Sequence, residues 1–144
     1  MLSTEQLLSL HKEVIEKFGG PGDSIRSIEM LDYIQGKAAD TREVFETAAT
    51  YMLYIPWSQP FADGNKRTGL GSAVILLRMN GYKVTPGQDL KGIMINTKGG
   101  SISTDMLREI LQARSSKKPP KSFEESKKWF FDKFAGVLNE LAKL

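Results

Sequence analysis

The chain has 144 residues, 40% of them hydrophobic and 26% charged, with a formal net charge of +3. Its length suits one domain, and the absence of cysteine excludes disulfides, thiolate nucleophiles and cysteine-ligated metals. The only histidine, His11, cannot by itself form a multi-histidine metal site. The sequence has neither a signal-peptide pattern at its start nor an apolar run of about 18 residues, so we expect a soluble, cytoplasmic protein.

The positive charge is concentrated at one end of the chain. Residues 1–114 carry 13 cationic and 13 acidic residues, whereas residues 115–144 carry seven lysines and four acidic residues. The body is therefore neutral, which argues against a globally basic nucleic-acid-binding protein.

Apolar residues recur at helical spacing in the first part of the chain. The pattern predicts helices over residues 4–18 and 41–55, with Thr4 and Thr41 as candidate N-caps. Between them, residues 24–35 are compatible with a short helix flanked by loops. Three features are expected to end these helices: the run Gly19-Gly20-Pro21-Gly22, then Gly36, and then Pro56.

The most apolar segment of the chain follows a loop with two prolines. Residues 56–64 form that loop, and residues 65–79 are apolar on nearly every face, which predicts a helix at the centre of the core. Asn80-Gly81 is a strong turn signal, and residues 82–85 have an extended pattern. Two further short helices are expected, over residues 88–97 and 103–113. Because helix dominates, we predict an all-α fold with residues 1–114 as one domain.

The C-terminal segment differs from this body in charge and composition. Residues 115–121 contain lysines and two prolines and are typical of a linker. Residues 122–144 place aromatic and aliphatic side chains at helical spacing, which predicts an amphipathic C-terminal helix. We expect this helix to dock on the domain or to form an interface with a partner or a second copy. A membrane or nucleic-acid contact is a less favoured alternative.

Residues 59–69, Gln-Pro-Phe-Ala-Asp-Gly-Asn-Lys-Arg-Thr-Gly, combine the features of a phosphate site. A glycine-containing loop leads into the N-terminus of the buried helix, where free backbone N–H groups favour anions. Lys66 and Arg67 add two positive charges there, and Asp63 can hold Mg²⁺ beside a phosphate. Asn65 can cap the helix or bind phosphate. The alternative is an ordinary helix start, with Asp63 or Asn65 as the cap and both cations solvated.

The run from Pro60 to Gly69 resembles the core motif of the Fic/Doc (Fido) family, His-x-Phe-x-[Asp/Glu]-Gly-Asn-[Gly/Lys]-Arg. Residues 7–20, 46–51 and 77–82 are also similar to segments of the family's Doc branch, the death-on-curing toxins of toxin–antitoxin systems. The resemblance covers roughly residues 4–114. It implies a compact, all-α Fic/Doc-type domain in which a central buried helix follows the motif loop.

Lysine at position 66 is typical of the Doc branch, whereas adenylylating members of the family usually have glycine there. The resemblance therefore implies ATP-dependent transfer of phosphate to a hydroxyl of a translation factor similar to elongation factor Tu, and disfavours a protein adenylyltransferase. It implies a Mg²⁺ site at Asp63. It also implies that the following residues bind the nucleotide: Phe61, Gly64, Asn65, Lys66, Arg67 and Gly69.

Some family members carry an inhibitory [Ser/Thr]-x-x-x-Glu-[Gly/Asn] helix in the same chain, and this sequence has no match to it. By resemblance to the Doc branch, restraint would come from a separate antitoxin, whose peptide segment folds onto the domain in trans.

The sequence departs from the family pattern at Gln59, where the family has its general base, a histidine. An amide cannot take a proton near neutral pH, and loss of a positioned base typically lowers a rate by about 10²–10⁴. The loss can be smaller for phosphoryl transfer, in which positioning and charge neutralisation dominate. His11 cannot replace the base because it lies on the apolar face of the first helix. Gln59, Asp63, Lys66 and Arg67 are thus the candidate catalytic positions of an enzyme with weakened activity.

Two other interpretations of Gln59 stay open. The chain can be a catalytically inactive protein that retains nucleotide or partner binding, or glutamine can be a deliberate substitution that weakens a toxin. Glutamine is nearly as long as histidine and keeps a polar end group, so a nucleotide pocket can survive the change.

Overall fold

The computed structural model describes residues 1–20 and 24–144. Within these residues the chain forms eight helices and a two-stranded antiparallel sheet, which confirms the all-α prediction with one small addition. In chain order the elements are α1 (Thr4–Phe18), α2 (Ile28–Ala39), α3 (Val44–Ser58), α4 (Asn65–Met79), β1 (Tyr82–Val84), α5 (Asp89–Asn96), α6 (Thr104–Arg114), β2 (Ser115–Lys117), α7 (Phe123–Lys133) and α8 (Ala135–Ala142).

The boundaries of α1 and α4 are the ones that periodicity predicts, but the N-caps of α1 and α3 differ. Ser3, rather than Thr4, caps α1 through a reciprocal capping box with Gln6. Glu43 caps α3, so the expectation for Thr41 is wrong. Helix α1 ends before Gly19, where the glycine run is expected to end it. Pro21 and Gly22 of that run lie outside the described residues.

Helix α2 is shifted toward the C-terminus relative to the prediction. It begins at Ile28, where the Ser27 side chain accepts a hydrogen bond from the Met30 amide, and it continues through Gly36 to Ala39. The Thr41 hydroxyl donates to the carbonyl oxygen of Ala38, 2.7 Å away, and so satisfies the end of α2. Gly36 therefore does not end the helix.

Pro56 lies inside α3, and the expectation that it ends the helix is wrong. Proline lacks the N–H that would bond the carbonyl four residues earlier, and it disfavours helical backbone at the residue before it, so packing must stabilise it in the last turn. Its ring packs against Gly69 of α4, where an added Cβ would lie 2.9 Å from the proline Cδ. The close approach of the two helices thus explains both residues.

Helix α4 is the centre of the fold. Every residue from Arg67 to Arg78 is buried, and α1, α3, α7 and α8 all pack against this helix. Gly71 lets α7 approach closely, because a Cβ there would lie 2.9 Å from Cε2 of Phe130. This central position confirms the prediction of a buried helix behind the motif loop.

The segment over residues 115–121 is not simply a linker. Ser115–Lys117 form β2, which pairs antiparallel with β1 in a register that places Tyr82 opposite Lys117 and Val84 opposite Ser115. Polar sequence with two prolines resembles a linker locally. Backbone pairing with a strand more than 30 residues earlier in the chain makes it part of the fold.

The expected single helix over residues 122–143 is divided into α7 and α8 at Phe134, whose backbone (φ −106°, ψ 12°) leaves the helical region. Phe134 is fully buried, with its ring centroid 5.1 Å from that of Phe130. The break lets α8 pack against α5 as well as α4. Among the described residues, no helix has the length and apolar character needed to cross a bilayer.

Candidate functional site

The motif loop leaves α3 through a strained residue. Gln59 lies in the left-handed region (φ 52°, ψ 61°), and it is the one non-glycine residue with positive φ in the described part of the chain. Positive φ is unfavourable for a residue with a Cβ and persists where the surroundings enforce it. Here Arg26 does so: its Nε donates to the Gln59 carbonyl at 2.6 Å and its Nη2 donates to the Ser58 carbonyl at 2.8 Å.

The segment before α2 also pairs with the loop through its backbone. The Arg26 and Ser27 amides donate to the Pro60 carbonyl at 2.7 and 3.0 Å, and the Ala62 amide donates to the Ser24 carbonyl at 3.1 Å. These bonds bind the loop to a segment more than 30 residues earlier. The loop is therefore fixed on one side by main-chain hydrogen bonds and on the other by α4.

His11 supports the loop from beneath. The imidazole is buried and stacks on Phe61, with the ring centroids 3.8 Å apart and the planes 6° from parallel. Its Nε2 lies 2.7 Å from the Asp63 carbonyl oxygen. Because a carbonyl only accepts, Nε2 carries the proton and donates. The structure thus confirms a structural role for His11 and adds that it positions the residue expected to bind metal.

Helix α4 begins with backbone N–H groups that no side chain caps. Its N-cap is Gly64, at φ 77°, a conformation that glycine adopts without strain. The Asn65 side chain does not cap the helix: its Oδ1 accepts from the Phe61 amide at 3.1 Å, and its Nδ2 donates to the Phe61 carbonyl at 2.9 Å. The Asn65 side chain therefore holds the loop instead of capping the helix, and the first-turn amides stay available to an anion.

Arg67 is largely committed to the protein. Its side chain is only 4% exposed, Nη1 donates to the Gly19 carbonyl at 3.0 Å, and Nη2 lies 3.5 Å from Oδ2 of Asp63. Burial lowers the pKa of the guanidinium below its ordinary value, and the Asp63 charge partly opposes this. Arg67 thus orients the Asp63 carboxylate, which is 44% exposed.

The loop and the start of α4 enclose a cavity of about 210 Å³. Gln59, Asp63, Lys66 and Arg67 line it, and Lys98, from the loop after α5, joins them. In the described part of the chain, neither Lys66 nor Lys98 has a hydrogen-bond or ion-pair partner for its ammonium group. Typical ligand pockets measure about 300–1,000 Å³. The cavity therefore suits a phosphate chain and a cation better than a whole nucleotide.

Comparisons with known proteins agree with this geometry. A model of the family described as "Fic/DOC family" matches residues 1–77. The protein kinase doc of Escherichia phage P1 is 33% identical over 116 residues, which cover 77% of this chain and 92% of that protein. The chain belongs to the Fic/DOC family. The similarity to doc places it in the Doc branch.

In this Fic/DOC protein, not every residue expected to bind nucleotide lines the cavity. Gln59, Asp63, Gly64, Asn65, Lys66 and Arg67 line it, but Phe61 and Gly69 do not. Phe61 is buried against His11, and Gly69 faces Pro56 between two helices. In this structure the two residues pack behind the loop, against His11 and Pro56.

Sequence reasoning missed several residues that complete the site. Arg26 lies in the segment of ambiguous pattern, and Lys98 lies in a glycine-rich loop with no motif of its own. Leu141 and Leu144, from the C-terminal helix and the residues after it, also line the cavity. No local signal distinguishes these residues, because each reaches the site only through tertiary packing.

Asp63 can contribute to a magnesium site but does not form one alone. In the described residues, no group of three or more His, Asp or Glu side chains could hold a metal ion. Mg²⁺ is commonly bound by one or two carboxylates together with waters and phosphate oxygens of a substrate. The donor set here thus fits a cation that arrives with a phosphorylated ligand.

Proposed function

We propose that the protein is a Doc-like toxin that transfers phosphate from ATP to a hydroxyl of a protein, at a rate that Gln59 limits. The observation that carries the proposal is the cavity at the N-terminus of α4, in which Lys66 and Lys98 have no partner among the described residues and Asp63 is partly exposed. The kinase activity named for the phage P1 relative supports the same reaction class.

Each group at the cavity has a role in this reaction. The first-turn amides of α4, together with Lys66 and Lys98, bind the phosphate chain and neutralise charge that develops during transfer. Asp63, oriented by Arg67 and His11, binds Mg²⁺, which supplies further neutralisation of phosphate charge when present. The target hydroxyl attacks the γ-phosphorus, the bond from that phosphorus to the bridging oxygen breaks, and ADP leaves.

Gln59 is the residue that limits the rate of the proposed reaction. Its amide can hydrogen-bond to the attacking hydroxyl but cannot take the proton, which must pass to water or to a phosphate oxygen. Transfer without a base is slow rather than impossible, because the transition state is loose and depends mainly on positioning. We further propose a translation elongation factor as the target and an antitoxin peptide in trans as the restraint, both by analogy with the Doc branch.

The proposal is tested by restoring the base. Purified protein and a Gln59→His variant are incubated with Mg²⁺, elongation factor Tu and ATP labelled at the γ-phosphate. We expect the variant to transfer label about 10²–10⁴ times faster than the original chain. Gln59→Asn is the matched control, because it replaces one amide by another and adds no base.

Parallel reactions with ATP labelled at the α-phosphate identify the group transferred. Transfer of the α-label by the histidine variant would contradict phosphotransfer and indicate adenylylation. If calorimetry shows that both proteins bind ATP but neither transfers label to any protein, the chain is an inactive nucleotide-binding protein and not an enzyme. Gln59 itself favours this second candidate. If neither protein binds ATP, both nucleotide-dependent functions are excluded.

A further inference from the structure

A groove of about 660 Å³ lies where the end of α4, β1, the segment before α7 and α7 itself meet. Five cationic side chains line it: Arg78, Lys83, Lys118, Lys121 and Lys128. We propose that this basic groove docks an acidic segment of a partner protein. The groove lies near the opposite end of α4 from the motif, because Arg78 follows Arg67 by about 16 Å along the helix axis. The proposal therefore does not depend on phosphotransfer at the motif. Every residue of the groove comes after the part of the chain that the family model matches.

Hydrogen bonds hold the charged segment in place. Arg78 is buried, and its Nη1 donates to the Pro119 carbonyl at 2.8 Å. The Lys121 amide donates to the Arg78 carbonyl at 3.4 Å, and the Lys118 amide donates to the Gly81 carbonyl at 3.0 Å. The segment that carries Lys118 and Lys121 is therefore attached to the end of α4, so its charges are arranged before a partner arrives.

The groove has more positive charge than its own carboxylates neutralise. Within the described residues, none of its four lysines forms an ion pair. Its two carboxylates belong to Glu125 and Asp132. Hydrogen bonds from Ser122 lower the pKa of Glu125, with smaller contributions from the charges of Lys121 and Arg78. With five cationic side chains and two carboxylates, the groove thus favours a partner with negative charge.

The chemistry of the groove favours a polypeptide over a nucleic acid. Glu125 and Asp132 would repel a continuous phosphate backbone, whereas they can accept hydrogen bonds from peptide N–H groups. Trp129 is half-buried and contacts Phe134 edge to face, with the ring centroids 5.8 Å apart. It therefore provides an apolar wall rather than an open platform for base stacking. Acidic residues interspersed with apolar ones match both features.

The test measures binding of three fluorescein-labelled probes to the full chain by anisotropy: a short peptide alternating Glu with Leu, the same peptide with Gln for Glu, and a short oligothymidylate. We expect the Glu peptide to bind at least tenfold more tightly than the other two, with an affinity that falls as salt is added. The double substitution Lys118→Glu, Lys121→Glu is expected to weaken its binding at least tenfold.

A matched control makes the same change in net charge elsewhere. The double substitution Lys12→Glu, Arg42→Glu alters two exposed cations that lie outside the groove and form no ion pair with the described residues, so peptide affinity is expected to stay within twofold. Equal unfolding temperatures would show that the groove variant is folded. The proposal would be overturned if the oligonucleotide bound more tightly than the Glu peptide, or if the groove and control variants lost peptide affinity to the same extent.

Discussion

The N-terminus and the middle of α4 are stabilised in different ways. At the N-terminus, the motif loop is held by hydrogen bonds from Arg26 and His11, and Lys66 and Lys98 at the cavity have no partner among the described residues. Along its middle, α7 covers the helix with packed aromatic rings such as Phe130, which lies against Gly71. The N-terminus of α4 therefore carries backbone strain and unpaired charge, and the packing along the middle of the helix supplies the stability that supports them.

Lysine side chains in the two regions also differ in how completely they are paired. Lys127 of α7 is 7% exposed and is paired with Glu13 at 2.7 Å and Glu124 at 3.2 Å. Its Nζ also donates to Oγ of Ser9 at 3.0 Å. At the motif, by contrast, the Lys66 ammonium group has no partner among the described residues and lines the cavity, where it can bind a ligand. Lys127 is thus fully paired within the protein, whereas within the described residues the more exposed lysines of the motif cavity and of the basic groove have no ion pair. Incomplete pairing marks the surfaces that can bind a charged partner.

The largest effect is expected from removing the packing of α7 against the middle of α4. Phe130→Ala deletes a fully buried ring beside Gly71 and should lower the free energy of unfolding by about 3–5 kcal/mol. Urea denaturation followed by circular dichroism measures this loss. Phe123 is also in α7 but is only partly buried, so Phe123→Ala should lower the free energy of unfolding by less.

An unchanged midpoint for Phe130→Ala would contradict this prediction and would mean that α7 adds little to the stability of the domain. A change in oligomeric mass without a change in stability would instead assign the helix to an interface between copies. Size-exclusion chromatography with light scattering separates these outcomes.

A smaller effect is expected at the motif end. His11→Leu replaces the imidazole with an apolar side chain of similar size and leaves the Asp63 carbonyl without the donor at 2.7 Å. The loss should be about 1–3 kcal/mol in the free energy of unfolding, and binding of ATP in the presence of Mg²⁺ should weaken as well. Chemical denaturation and calorimetry give the two quantities. His11→Gln keeps an N–H donor and should recover part of both, whereas wild-type affinity in the leucine variant would refute the positioning role.

The smallest effect concerns the pH dependence of the Lys127 ion pairs. Burial alone would lower the pKa of Lys127, but hydrogen bonds with Glu13 and Glu124 raise it above its ordinary value. The charged form is thus favoured in the folded state. Its contribution is complete below the ordinary lysine pKa of about 10.4 and is lost as pH rises through the raised value.

The stability difference between the original chain and Lys127→Met should therefore shrink above about pH 10.4, by less than about 1 kcal/mol, because one partner is well exposed. Denaturation curves at several alkaline pH values measure it. A difference that grows with pH would show that the charged form is not the stabilising one.

Prediction from sequence succeeded where the signal is local. The bounds of α4 and the buried role of His11 follow from apolar spacing alone. Prediction failed at Pro56 and at residues 115–117, which have the local features of a helix breaker and a linker. In both places a partner distant in sequence, Gly69 for one and β1 for the other, determines the conformation.

The sequence by itself determined the family, the helix that carries the motif, and the replacement of the motif histidine by Gln59, because these are properties of residue identity and spacing. Tertiary structure decided how the site is completed. Arg26 holds the carbonyls of Ser58 and Gln59, Lys98 lines the cavity from the loop after α5, and the Asn65 side chain binds the loop backbone. Such roles depend on distances between residues far apart in sequence, and those distances arise only when the helices pack around α4.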